Sequence, residues 1–225
     1  MNEWLTFAQA GAMIDTVALA LIGLALIGTI VRRLDLAIWL LATQGVALSL
    51  GAGAVALAEG AWRPWAAFMV ALLVKAVAIP VILHTLLRRI TLRREVETVV
   101  PIKLAFPLGI GLVLVAYYAL GLVSAGGAGR FDAPNALPAA LALQLLGLFV
   151  MVTRKKALTQ VIGLVTMENG IYLATVAATG SLPFLVEFGV AMDVLTGVAV
   201  MGLVIHEINR LFGEINTDRL QALRD

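Results

Sequence analysis

The chain has 225 residues, 61% hydrophobic and 13% charged, with a mean hydropathy of +1.00. That is far more apolar than a soluble domain can be, so a soluble fold is excluded and the solvent is a lipid bilayer. The chain has no cysteine, which removes iron–sulfur ligation, thiolate zinc sites, disulfides and thiol catalysis, and leaves any redox chemistry to partners.

A spanning helix needs roughly 20 apolar residues at about 1.5 Å rise each, and successive windows meet that need along almost the whole chain. Residues Met1 to Ala12 lack a basic n-region and carry Glu3, with Asp15 just beyond, so the first span is expected to be retained rather than cleaved as a signal peptide. In chain order the predicted spans are Ala12–Val31, Leu36–Leu57, Trp65–Leu87, Leu104–Leu122, Leu137–Val152, Leu158–Ala178 and Leu182–Ile205. They are long unbroken apolar runs joined by short polar loops, not the ten-residue alternating segments of a barrel. The expected fold class is therefore all-α, an integral membrane protein with about seven transmembrane helices.

Thirteen of the 16 basic residues fall in alternate loops and the C-terminal tail: Arg32 and Arg33; Arg88, Arg89, Arg93, Arg94 and Lys103; Arg154, Lys155 and Lys156; Arg210, Arg219 and Arg224. The intervening loops hold only Arg63 and Arg130. The positive-inside rule then puts the N-terminus outside and the C-terminus in the cytoplasm, which suits an odd number of spans. Trp39, Trp62 and Trp65 sit at helix ends as interfacial anchors. The pI of about 9.2 reflects this topological asymmetry, so no nucleic-acid partner is expected and the partner of the chain's surface is the lipid bilayer.

The informative residues are the ionisable ones inside the spans. Lys75, Glu168 and Asp193 lie in the middle of the third, sixth and seventh spans, each some ten residues, or about 15 Å, from either end. A charge at that depth costs from about 3 to more than 10 kcal/mol, so such groups face a bundle interior or a wet cavity and take partners. One reading is that Lys75 pairs with a carboxylate only to hold helices together. The other is a proton-transfer relay, in which a coupled Lys and carboxylate exchange protons as a unit and moving the Lys away loads a proton onto the acid. Pro80 follows Lys75 by one turn, cannot donate a backbone hydrogen bond and crowds the carbonyl of Ala76, which predicts a kink beside the Lys. Glu187, Asn169 and Thr196 are supporting candidates that lend polar groups within the membrane, and Asp15 and Glu207 are expected as ordinary interfacial residues. His84 and His206 could ligate a b-type haem, although imidazoles at a membrane interface are the commoner case. There is no phosphate loop, nucleophile triad or metal-ligand cluster, so no catalytic, metal or cofactor residues are assigned in this chain. Spans one to three and five to seven run in the same direction, and Thr43-Gln44 and Thr159-Gln160 each precede a mid-membrane charge, a pattern that a parallel duplication would produce.

The run Gln160-Val-Ile-Gly-Leu-Val-Thr-Met-Glu168-Asn169-Gly170, followed by Phe188-Gly-Val-Ala-Met-Asp193-Val-Leu-Thr-Gly197 and Ile208-Asn209-Arg210, resembles component E of hydrogenase 4, a family of the membrane arms of energy-converting nickel–iron hydrogenases. Its last three helices look like the K subunit of respiratory complex I and the C subunit of Mrp-type antiporters. The K subunit's third-helix glutamate falls on Asp193, whereas its second-helix glutamate falls on Val165, with the acid here at Glu168. A three-residue displacement keeps nearly the same helical face. The stretch Lys75-Ala-Val-Ala-Ile-Pro80 is similar to the third helix of the hydrogenase component, where a Lys precedes a Pro.

The resemblance implies a division into N-terminal membrane helices one to four, 1–134, and a K-subunit-like part of three helices with a short cytoplasmic tail, 135–225. It also implies a non-catalytic subunit of a redox-driven ion-pumping complex in a bacterial or archaeal inner membrane. Such a subunit carries no redox centre, and its partners are antiporter-like and complex I-like membrane subunits and a cytoplasmic redox module. A purely structural scaffold and a stand-alone transporter of a small solute are the alternatives.

Overall fold

The computed structural model describes residues 6–60, 62–89, 99–124 and 133–178, with Gly197 and Gly202, and contains no strand among them. Helix α1 (Phe7–Ile30) starts at Thr6, whose hydroxyl accepts from the Gln9 N–H while the Gln9 side chain accepts from the Thr6 N–H, a reciprocal capping box. Helix α2 (Leu34–Glu59) stops at Gly60, whose left-handed backbone (φ 66°) is a conformation only glycine adopts without strain. Helix α3 (Trp62–Val70) runs directly into a π-helical segment, Ala71–Ala78, and on into α4 (Ile79–Arg89). The wider turns come just before Pro80, where the proline ring crowds the preceding carbonyls and an i to i+4 ladder cannot continue. Helices α5 (Ile102–Ser124), α6 (Ala136–Thr153) and α7 (Ala157–Ala178) complete the set.

Among the described residues, five segments are long and apolar enough to cross a membrane: Phe7–Ile30, Leu34–Glu59, Ala71–Arg88, Lys103–Leu120 and Ala136–Thr153. The protein is thus a multi-pass, all-helical membrane protein. The first six spans expected from the sequence all fall on helices, the third covering α3, the π segment and α4. The sixth is α7, whose apolar run is interrupted by Gln160, Glu168 and Asn169, and it is not among the five. The seventh, Leu182–Ile205, lies outside the described residues, as do the second helix triplet's last member and any test of the duplication.

Helices α2 and α6 organise the packing. Helix α2 lies against α1, the whole α3–α4 helix and α7, while α6 lies against α5, α1 and α7. Two apolar cores result. The first joins α1, the C-terminal half of α2, α6 and the C-terminal half of α7 around Ile14, Leu21, Leu48, Leu143 and Leu173. The second joins the start of α2 (Leu34, Ile38, Leu41), α4 (Ile79, Leu83, Leu86) and the start of α7 (Leu158, Ile162, Val165). Between helices in lipid there is little hydrophobic drive, so association rests on close packing of small residues. The α6–α7 pair shows this: a Cβ on Gly147 would lie 2.5 Å from the Gly163 carbonyl oxygen, and one on Gly170 would lie 2.5 Å from the Ala140 carbonyl oxygen.

The basic loops gather at one end of the bundle. Arg154, 3% exposed, donates to the carbonyl oxygens of Thr29 at 2.5 Å and Val31 at 3.3 Å, placing a cation on the C-terminal carbonyls of α1. The Val99 N–H donates to Thr153 at 3.0 Å, which brings the chain entering α5 to the same end. At the opposite end, Asp15 does more than an interfacial acid was expected to do. Its two oxygens accept from the Asn135 backbone N–H at 3.0 Å and side-chain amide at 2.8 Å, tying α1 to the start of α6.

Gly147→Ala should destabilise the bundle by about 1–3 kcal/mol, because its new methyl meets backbone that must shift. Gly23→Ala, which meets nothing within 4 Å, should leave the thermal midpoint in detergent unchanged or slightly raised. Equal midpoints for the two variants would contradict the close α6–α7 contact.

Candidate functional site at mid-membrane depth

The polar residues of the interior converge between the two apolar cores. Lys75 stands in the π-helical segment and is 1% exposed. Its Nζ donates to Glu168 Oε1 of α7 at 2.7 Å and to Asn169 Oδ1 at 3.4 Å, and lies 5.3 Å from the centroid of the Tyr172 ring. Glu168 and Tyr172 are four residues apart and so share one face of α7, which lets the carboxylate and the ring receive the same ammonium. Asn169 in turn donates from Nδ2 to Gln44 Oε1 of α2 at 3.0 Å. With its oxygen turned to the ammonium, the Asn169 amide has only its nitrogen to offer α2, so this polarity follows from the charge of Lys75.

Backbone packing sets the geometry. A Cβ on Gly45 would lie 2.6 Å from the Lys75 carbonyl carbon and 2.7 Å from its oxygen, so α2 is pressed against the π segment where the Lys departs. Gly45 and Gln44 are neighbours on α2; one admits the Lys75 backbone and the other fixes the Asn169 amide beside its head group. An ammonium and a carboxylate buried without each other would each cost several kcal/mol, and their contact with further polar partners offsets that cost. The arrangement is chemically a buried donor–acceptor pair at the meeting of three helices, able to hold or exchange a proton.

Lys75, Glu168 and Asn169, all singled out from the sequence, are thus brought together. Pro80 is buried at the start of α4, and His84 is half-buried nine residues beyond Lys75, about 14 Å further along the helix. Asp193, Glu187, Thr196 and His206 lie outside the described residues. Sequence reasoning missed Gln44, Tyr172 and Gly45 as parts of this site. Gln44 carried a usable signal, an amide in the middle of an apolar span; Gly45 carried none, since chains of this kind are rich in glycine and only the contact singles it out. Among the described residues no group of three or more His, Cys, Asp and Glu side chains is placed to hold a metal ion.

Residues 136–225 match the family of NADH-ubiquinone/plastoquinone oxidoreductase chain 4L. The C-terminal part of the chain is a chain 4L-like domain. The chain is also 38% identical over 89 residues to Hydrogenase-4 component E of Escherichia coli and of Shigella flexneri, and 42% identical over 91 residues to an uncharacterized protein of Mycobacterium tuberculosis. Each of these matches covers 40% of this chain and 41% of the relative, so the likeness extends over less than half of either protein. No solved structure matches the chain. Glu168, Asn169 and Tyr172 lie within the chain 4L-like domain, whereas Lys75, Gln44 and Gly45 precede it. The buried ion pair therefore joins the chain 4L-like domain to the helices before it.

Lys75→Met should lower the thermal midpoint in detergent by more than Lys75→Met combined with Glu168→Gln, with a coupling of about 0.5–3 kcal/mol between the sites. Strictly additive effects would mean that the two side chains do not interact.

Proposed function

We propose that this protein is a non-catalytic membrane-arm subunit of a multisubunit redox-driven ion pump, related to hydrogenase 4 and to complex I, and that it carries part of a mid-membrane proton relay. The observation that carries this reading is the 2.7 Å contact of Lys75 with Glu168, both dry and deep inside the helix bundle, with Glu168 contributed by the chain 4L-like domain. The names of the relatives, an oxidoreductase chain and a hydrogenase component, supply the redox complex. The absence of cysteine in the sequence agrees with electron transfer in other subunits. On this reading the partners are antiporter-like and complex I-like membrane subunits and a cytoplasmic redox module, and the location is a bacterial or archaeal inner membrane. The N-terminus is outside and the C-terminus cytoplasmic, with about seven spans. The gathering of Arg32, Arg33, Arg154, Lys155 and Lys156 at one end supports that orientation. The chain divides into helices 1–134 and a K-subunit-like part 135–225, and Lys75 is the tie between them.

In the resting arrangement the Lys75 ammonium neutralises the Glu168 carboxylate. If Lys75 swings toward another acid, for which Asp193 is the candidate, Glu168 loses its counter-charge in a medium where that costs several kcal/mol, and it is neutralised by taking up a proton. The return of Lys75 expels that proton. The π segment makes such a swing inexpensive in backbone terms, since its hydrogen bonds are already displaced from the α-helical pattern. Glu187, Asn169, Thr196, Pro80 and His84 are proposed as supporting residues of the relay.

Glu168→Gln and Asp193→Asn are the direct tests. The complex should still assemble and co-purify in mild detergent, while substrate-driven proton uptake by inverted membrane vesicles falls by about two orders of magnitude, the scale contributed by a positioned proton-transfer group. Loss of assembly would instead make the pair a structural tie, and normal assembly with normal pumping would end the relay reading. Isolation of the chain as a single functional species would favour a stand-alone transporter.

A further inference from the structure

A narrow cleft of about 20 Å³ lies between α1, α2, α6 and α7, and its floor is Gln44. On α2 it is lined by Leu34, Ala37, Leu40, Leu41 and Gln44, a stripe at helical spacing that covers about 15 Å from the basic end of the bundle to mid-depth. Gly28 of α1 forms part of the opposing wall, and Thr159 and Thr166 of α7 place two hydroxyls along an otherwise apolar lining. At Gly28 a Cβ would meet nothing within 4 Å, so the space beside it is open. Such a volume holds about one water molecule, provided the water finds two or more polar partners.

Those partners are present at the floor. Gln44 spends its carbonyl oxygen on Asn169, which leaves its amide N–H groups as donors toward the cleft that it lines. The Thr166 hydroxyl donates to the Ile162 carbonyl at 2.9 Å, so its oxygen remains an acceptor. Thr166 lies one turn before Asn169 on α7, and Asn169 is held by Gln44, so the hydroxyl and the Gln44 amide face the same stretch of cleft.

We propose that this cleft is a binding site for one water molecule, entered from the basic end of the bundle, that hydrates Gln44 and so places water beside the Asn169 amide that faces the Lys75–Glu168 pair. Gln44 is a positioning residue there. Its oxygen orients Asn169 against the ammonium, and its nitrogen meets the water. The site rests on the relay reading for its purpose, but its existence is a separate physical matter. It accounts for why an amide stands at the bottom of an apolar cleft.

The test is water-edited solid-state NMR on the full chain in lipid bilayers, which reads the transfer of magnetisation from water protons to assigned sites. Transfer to the Gln44 side-chain amide should build up severalfold faster than to the backbone amides of Ala52 and Leu143, which are as deeply buried but off the cleft. Filling the cleft from either wall, by Ala37→Phe or by Gly28→Leu, should slow Gln44 to the level of Leu143. Slow transfer in the wild-type chain would overturn the site, and so would fast transfer that persists when the cleft is filled. Neither result bears on pumping by the Glu168→Gln variant, so a dry cleft and a failed relay are told apart.

Discussion

The structure turns on the rule that a charge inside a membrane must be partnered. Among the described residues Lys75 is the bulkiest fully buried side chain, and its ammonium meets a carboxylate, an amide oxygen and an aromatic face of α7. Each feature around it serves that match. Gly45 lets α2 come close enough for Gln44 to orient Asn169, the π segment carries the Lys into the space between α2 and α7, and the two apolar cores above and below keep water from replacing the carboxylate. Glycine contacts then hold α7 against α6, so that Glu168 stays at a fixed depth.

The same pair links two stretches of chain with different kinship. Glu168 belongs to the part that matches chain 4L, and Lys75 to helices that precede the match. The contact therefore attaches an acid in the stretch that matches chain 4L to a cation supplied from the same polypeptide.

Much of this was legible in the sequence because a bilayer imposes simple lengths and penalties. Six of the expected spans fall on helices, since runs of about 20 apolar residues have few other uses. Lys75 and Glu168 stood out through the cost of their depth, and a shared depth is a necessary condition for contact. What the sequence did not disclose is which helices touch. The roles of Gln44 and Gly45 depend on the approach of α2 to the π segment, and glycines and amides are too common in membrane helices to mark a site by themselves. Pro80 pointed to a local break in regular helix, but its expression as a π segment of eight residues depends on how α2 supports the turn. Asp15 was passed over because acids near span ends are usually solvated, whereas here a partner 120 residues away claims both of its oxygens.

The central claim is that Glu168 is ionised against Lys75 at rest and protonated when the two part. Infrared difference spectroscopy of the assembled complex, resting against turning over, reads this directly in the absorption of protonated carboxyl groups. A protonated-carboxyl band that appears on turnover and is missing in the Glu168→Gln complex is the result expected. Difference spectra with no band that depends on Glu168, in a complex that pumps normally, would contradict the account.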